Sequence, residues 1–183
     1  MKRLEFSFSG TGGQGVILLG VIMAETAINE GLNALQSQCY GPEARGGASR
    51  CEVIISDEEI YFPKVQNPNY VLCLSQAAAN KYAVNLKEEA VLILDDRIEL
   101  NAEPGTSNIY YLPILDTARN EIGKEITANI VSLGILQEIT KLFSKEAMIT
   151  SVLHRVPKGT EAINTAAIEA GVQLVKQWHE KKS

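Results

Sequence analysis

The sequence predicts an α/β fold, with helices layered on both faces of a mostly parallel sheet. Three observations predict it. Short β-type runs alternate with helix-spaced stripes along the first 112 residues. A glycine-rich turn sits between the first such run and the first stripe. The last third reads as helix throughout, a distribution that layers helices over a sheet.

Leu4-Glu5-Phe6-Ser7-Phe8 alternates apolar and polar, the period of a strand. It runs into Gly10-Thr11-Gly12-Gly13-Gln14-Gly15. Val16, Gly20, Met23 and Ala27 then recur at helical spacing, with Ile17, Ala24 and Ile28 beside them, and Gly31 is a natural stop. Leu32–Ser37 reads as a second strand, Cys39–Ser49 as a loop and Arg50–Ser56 as a third strand. No helix separates the second strand from the third, so those two can pair antiparallel. Tyr70–Leu74 and Val91–Leu94 are nearly all apolar, as central strands covered on both faces must be. A helix over Gln76–Leu86 lies between them, and Ile109–Leu112 is a further strand before Pro113.

Ile126, Ile130, Leu133, Leu136, Ile139 and Phe143 form a helical stripe. Ser144 can cap the next helix, with Glu146 in its first turn. Ile163, Ala166, Ala167, Ala170, Leu174 and Trp178 line the final helix, whose alanines and Gly171 suit tight packing on a neighbour. The order gives a three-layer, Rossmann-like sandwich with a helical C-terminal third. No repeat, low-complexity stretch or linker divides residues 1–183, so one domain is expected.

Composition narrows the function. Seventeen Lys and Arg against twenty-two Asp and Glu leave a net charge of −5, which argues against a nucleic-acid binder. The longest apolar runs are four to six residues, far short of a membrane span, and the N-terminus has no signal-peptide pattern. A cytoplasmic protein is expected. Cys39, Cys51 and Cys73 lie twelve and twenty-two residues apart, with no CxxC. That pattern suits neither an iron–sulfur cluster nor a structural zinc, and no metal site is expected.

Nine of the fourteen glycines fall between Gly10 and Gly47, seven of them in two clusters that suggest something approaching the backbone. The first, Gly10, Gly12 and Gly15 in a G-x-G-x-x-G, follows a strand and opens a helix. Amides around Gly12, Gly13, Gln14 and Gly15 would there face a phosphate. A tight turn without a ligand is the plainer alternative. A nicotinamide site expects an acidic residue at the end of the second strand. Here that end reads Leu35-Gln36-Ser37-Gln38, which disfavours it.

The second cluster is Tyr40-Gly41-Pro42-Glu43-Ala44-Arg45-Gly46-Gly47-Ala48-Ser49. It follows the second strand, so it should lie at the same sheet edge as the first. Arg45 can grip a phosphate or carboxylate there, while Tyr40 and Pro42 shape the wall. An Arg45–Glu43 surface pair is the alternative. His154, His179, Asp95-Asp96 and Cys39 offer no nucleophile–base set, so no catalytic residue is assigned.

Taken together, the two clusters resemble the gamma subunit of 2-oxoacid:ferredoxin oxidoreductases. The likeness continues through Ser56-Asp57, Ile60 and Pro63 to Asn129, Gly134 and Asn164, nearly the whole chain. It implies one gamma-type domain in an enzyme that oxidatively decarboxylates a 2-oxoacid with coenzyme A and passes electrons to ferredoxin. Thiamine diphosphate and iron–sulfur clusters are then expected in alpha, beta and ferredoxin-like delta subunits, and coenzyme A is the substrate this chain would support. The implied site is Gly10, Gly12, Gly13, Gln14 and Gly15 with Tyr40, Gly41, Pro42, Glu43, Arg45, Gly46 and Gly47. Members acting on pyruvate tend to carry Glu-Arg-Arg-Gly-Ala-Pro in the second motif. Glu43-Ala44-Arg45-Gly46-Gly47 looks more like the 2-oxoglutarate or branched-chain type, and 2-oxoglutarate is favoured. The small subunit of indolepyruvate oxidoreductase shares the domain. A free-standing dinucleotide-binding oxidoreductase and a purely structural assembly subunit are the rival readings, and a homodimer of the isolated chain stays open.

Overall fold

The computed structural model describes residues 3–39 and 48–182. Its six strands are β1 (Leu4–Thr11), β2 (Asn33–Cys39), β3 (Ala48–Ser56), β4 (Tyr70–Cys73), β5 (Val91–Asp95) and β6 (Ile109–Leu112). They form one sheet in the order β2-β3-β1-β4-β5-β6. The β1–β4, β4–β5 and β5–β6 pairings are parallel. β3 lies antiparallel between β1 and β2, the consequence of joining β2 to β3 without a helix. The α/β class and the mostly parallel sheet match expectation, and β4 and β5 are interior strands buried on both faces.

Strand alternation sorts the side chains into two cores. Phe6, Phe8, Cys51, Val53, Ile55, Leu72 and Ile93 face a large core beneath α1 (Val16–Asn29) and the C-terminal helices. Val71, Cys73, Leu92 and Leu94 face a smaller one beneath α2 (Gln76–Tyr82). α2 stops short of Leu86, and Asn85 turns the chain with φ 54. α1 ends as its glycine predicts. Gly31 has φ 81, its N–H donates to the Ile28 carbonyl and that of Leu32 to Ala27, a Schellman closure.

After β6 comes a segment that periodicity did not announce: a single turn, α3 (Ile114–Asp116), then a π-helical turn over Thr117–Glu121. Asp95 anchors it. This buried carboxylate accepts from the Leu115 N–H at 2.8 Å and from Arg97 Nε at 2.8 Å. The Asp95-Asp96 pair is thus a strand-end cap.

The last third holds α4 (Ala128–Thr140), α5 (Lys145–Arg155) and α6 (Glu161–Lys182). Ile126 and Phe143, assigned from spacing to one helix, fall outside α4. Ile126 lies in a 3-10 turn and is 68% exposed, and Lys141 ends α4 in a left-handed conformation. Ser144 caps α5 by accepting from the Ala147 N–H. α4 and α6 pack backbone to backbone: a Cβ on Gly134 would strike the Ile168 carbonyl, and one on Gly171 the Val131 carbonyl. No helix among the described residues is long and apolar enough to cross a membrane.

Candidate functional site

The site is built where β1 hands over to α1. Two glycines there sit against close side chains. A Cβ on Gly10 would sit 2.5 Å from Gln14 Oε1, and one on Gly15 would sit 2.5 Å from Asn129 Nδ2. Gln14 folds back as a brace: its Oε1 accepts from the Thr11 N–H at 2.7 Å and its Nε2 donates to the Leu74 carbonyl at 3.1 Å. Its backbone N–H donates to the Thr11 carbonyl, so Gln14 holds the turn's shape.

Gly12 and Gly13 differ. No described residue lies within 4 Å of a Cβ built on either. Gly13 has φ 91, a conformation that a side chain would strain. Neither backbone N–H has a main-chain partner among the described residues.

Helix α1 then starts with no cap. Its N-cap is Gly15, no side chain among the described residues accepts from its first turn, and none of its own first-turn residues is acidic. α2 and α5, by contrast, are closed by Ser75 and Ser144. Among the described residues nothing neutralises the first-turn donors of α1 or the positive end of its dipole.

They face a cleft of about 580 Å³ lined by Thr11, Gly12, Gly13, Ser49, Asn129 and Arg155, with Ile17, Leu18, Val21 and Ile126 as its apolar floor. A second hollow of about 280 Å³ continues from Leu18, Ile126 and Asn129 towards Pro157, Ile163 and Asn164. Lys124 stands on its wall.

Arg155 is the described cation of the cleft. Its Nε donates to Glu25 Oε2 at 2.6 Å, and His154 Nδ1 lies 3.1 Å from Glu25 Oε1. The Arg155 guanidinium holds the Glu25 carboxyl below the usual carboxylate range, and Glu25 raises Arg155 in turn. Asn129 Nδ2 donates to the Gly15 carbonyl at 3.3 Å, tying α4 to the turn.

Of the expected site residues, Gly10, Gly12, Gly13, Gln14 and Gly15 come together here. Tyr40, Gly41, Pro42, Glu43, Arg45, Gly46 and Gly47 lie outside the described residues. Ala48, which follows that motif, pairs opposite Thr11. Ser49 closes the second cluster, whereas Asn129, Ile126 and Arg155 were not named from sequence as site residues. Asn129 had a signal, as a polar residue inside an apolar helical run. Arg155 had none, because its partner Glu25 is 130 positions away.

Arg50, the other cation near the second motif, is engaged elsewhere. It donates to Ser7 Oγ at 3.0 Å, pairs with Glu52 and lies over the Tyr82 ring. Cys51 and Cys73 belong to the two separate cores, and burial pushes the Cys73 thiol up to about 11. Neither forms part of a cluster ligand set. Among the described residues no group of three or more His, Cys, Asp or Glu is placed to hold a metal.

Residues 5–174 match the profile of the pyruvate ferredoxin/flavodoxin oxidoreductase family. The 2-oxoglutarate synthase subunit KorC of Methanocaldococcus jannaschii is 46% identical over 178 residues, 96% of this chain and 95% of that protein. The keto/oxoacid ferredoxin oxidoreductase gamma subunit of Geobacter sulfurreducens aligns with a TM-score of 0.87 at 44% identity, over 97% of this chain and 98% of that one. A 2-oxoglutarate:ferredoxin oxidoreductase from Magnetococcus marinus, solved with 2-oxoglutarate, coenzyme A and succinyl-CoA bound, aligns with a TM-score of 0.82. At 23% identity, over 97% of this chain and 32% of that one, it shows a shared fold.

Proposed function

The chain belongs to the pyruvate ferredoxin/flavodoxin oxidoreductase family, and from that premise we propose that it is the gamma subunit of a 2-oxoglutarate:ferredoxin oxidoreductase and holds a phosphate of coenzyme A at its glycine turn. It is a gamma-type subunit of a multi-chain oxidoreductase that acts on a 2-oxoacid. Its assignment to 2-oxoglutarate is supported by the 46% identity with KorC and by the Glu43-Ala44-Arg45-Gly46-Gly47 form of the second motif.

One observation carries the ligand reading. The uncapped start of α1, with open space over Gly12 and Gly13, faces a cleft that Arg155 also lines. Main-chain donors at a helix start suit a phosphate, and a guanidinium at the same cleft adds charge. The apolar floor of Ile17, Leu18, Val21 and Ile126 suits the uncharged arm of coenzyme A. Arg45 lies outside the described residues and is proposed as a second cation for the phosphate from its place in the second motif alone. Thiamine diphosphate and the iron–sulfur clusters are assigned to alpha, beta and delta partners, with ferredoxin as acceptor. Within such a complex this chain binds and orients a substrate, and no proton or electron transfer is assigned to it.

The nicotinamide reading loses a further support in the sheet order. In a dinucleotide fold β2 sits beside β1 and offers its end to the ribose. Here β3 occupies that place.

The test uses the complex assembled with its partner subunits. Ferredoxin reduction should depend on coenzyme A and should favour 2-oxoglutarate over pyruvate and 2-oxoisovalerate in kcat/KM. Faster turnover of pyruvate would reject the substrate assignment. A coenzyme A KM unmoved by Gly13→Val and Arg155→Ala would reject the phosphate site and leave assembly as this chain's role.

A further inference from the structure

Residues 57–69 connect β3 to β4 and carry the largest exposed aromatic surface among the described residues. Tyr61 is 85% exposed and Phe62 48%. Such a tip on a floppy loop would mean little, but this loop is held. Arg3 Nη1 donates to the Phe62 carbonyl at 2.7 Å and Nη2 to the Lys64 carbonyl at 2.8 Å. Glu5 Oε1 accepts from Arg3 Nε at 2.8 Å. Glu5 Oε2 accepts the backbone N–H of Gln66 at 2.8 Å and of Asn67 at 2.9 Å. The Glu5 backbone closes the base, donating to Asn69 Oδ1 and accepting from the Asn69 N–H.

Glu5 is only 8% exposed, and a carboxylate is costly to bury unless it is paired and fully bonded. Here those bonds all fix the shape of a loop whose tip has nothing to cover it. A large aromatic ordered in advance loses little freedom on binding, and tyrosine is enriched among residues that dominate interfaces. The charge around the tip selects the occupant. Asp57, Glu58 and Glu59 are exposed just before it, and Tyr61 donates its hydroxyl to Glu59 Oε2 at 2.8 Å. Lys64 is exposed on the far side, and Arg3 is paired with Glu5. A second copy of this chain, itself at net charge −5, would meet the tip with like charge.

We propose that the Tyr61–Phe62 tip is a preformed plug that docks into an apolar slot rimmed by lysine or arginine on a partner subunit of the oxidoreductase. The proposal rests on the multi-subunit reading above. Its test is assembly of the full chain with tagged partner subunits, comparing wild type, Tyr61→Ala/Phe62→Ala and Glu58→Lys/Glu59→Lys. The aromatic double variant should keep the wild-type melting temperature and bind its partners at least roughly thirtyfold more weakly, the loss that defines a dominant interface residue. The charge-reversed variant should associate more slowly than wild type at low salt, with the gap closing as salt rises.

Equal affinity of wild type and the aromatic variant would overturn the docking proposal alone. So would a variant that loses only self-association by sedimentation, which would assign the tip to a second copy. A wild-type chain that joins no partner would overturn the multi-subunit reading, and the docking proposal with it.

Discussion

A Cβ built on Gly12 or Gly13 meets no described residue within 4 Å, whereas one built on Gly134 or Gly171 would strike a main-chain carbonyl of the facing helix. The first pair leaves its main chain uncovered by the described residues. The second lets α4 and α6 approach until no side chain fits between them. The same residue type thus marks an opening at one end of α1 and a closed seam in the C-terminal layer. Built-in space separates the two uses, whereas glycine density in the sequence does not: the seam glycines are isolated in sequence and the turn glycines are clustered.

That contrast can be broken most forcefully at the seam. Gly134→Val should cost about 3 kcal/mol, since the collision is with backbone and overpacking of a closed contact costs at that scale. For a chain of this size the thermal midpoint should fall by roughly 10 °C, read by circular dichroism. A midpoint within about 2 °C of wild type would mean that the seam can open, and the distinction would fail.

The turn should answer in the opposite currency. Gly12 has no positive φ and no neighbour within 4 Å, so Gly12→Ala should change stability by less than about 0.5 kcal/mol. Gly13→Ala carries the strain of φ 91 and should cost about 1 kcal/mol more than that. In the assembled enzyme both should raise the coenzyme A KM by roughly tenfold, the loss expected for one hydrogen bond to a charged group. The KM for 2-oxoglutarate should stay put. A fall in stability without a change in either KM would reduce the turn to a structural bend.

The sequence announces the opening far better than it announces the site around it. Strands are legible because alternation reports one covered face and an unbroken apolar run reports two, and the end of α1 because Gly31 must adopt φ > 0 to close it. The insertion of β3 was legible only as a missing helix. The α3 and π-helical turn after β6 is too short to build a period, and Asp95, twenty residues before its amide partner Leu115, is what holds it. Ile126 misled because its spacing continues the α4 stripe while the chain is still in a 3-10 turn, which puts the side chain over the cleft. Asn129 and Arg155 reach the turn only through tertiary packing, across 114 positions to Gly15 and 130 to Glu25.

Arg155 sharpens the comparison, because it adds charge to the opening without supporting the fold. It is about half exposed, and a surface pair of that kind contributes little to stability. Arg155→Ala should therefore leave the melting curve nearly unchanged while raising the coenzyme A KM by roughly fivefold, the size of an exposed electrostatic contact. kcat should hold, since no reacting atom is assigned to it. Dephospho-coenzyme A offers a finer readout. If Arg155 serves the 3′-phosphate, the variant should lose its preference for the full substrate. If it serves the diphosphate at the turn, both should weaken alike.

The smallest expected effect lies one contact further out, at Glu25. Its carboxyl is held below its ordinary value of 4.5 by the hydrogen bond from Arg155, with His154 as a second partner. A carboxyl depressed in the folded state adds stability above its unfolded value and loses it as pH falls through the lower, folded one. Glu25→Gln should therefore melt slightly below wild type at pH 7, with the difference vanishing as pH falls below 4.5. A difference that grew on acidification would mean that the Arg155 pairing is not what sets Glu25. The same variant separates holding from binding. Glu25→Gln leaves the guanidinium in the cleft with its tether weakened, so the coenzyme A KM should not rise as it does in Arg155→Ala. An equal rise in both variants would show that Arg155 acts by pinning α5 to α1, with the ligand held by the glycine turn alone.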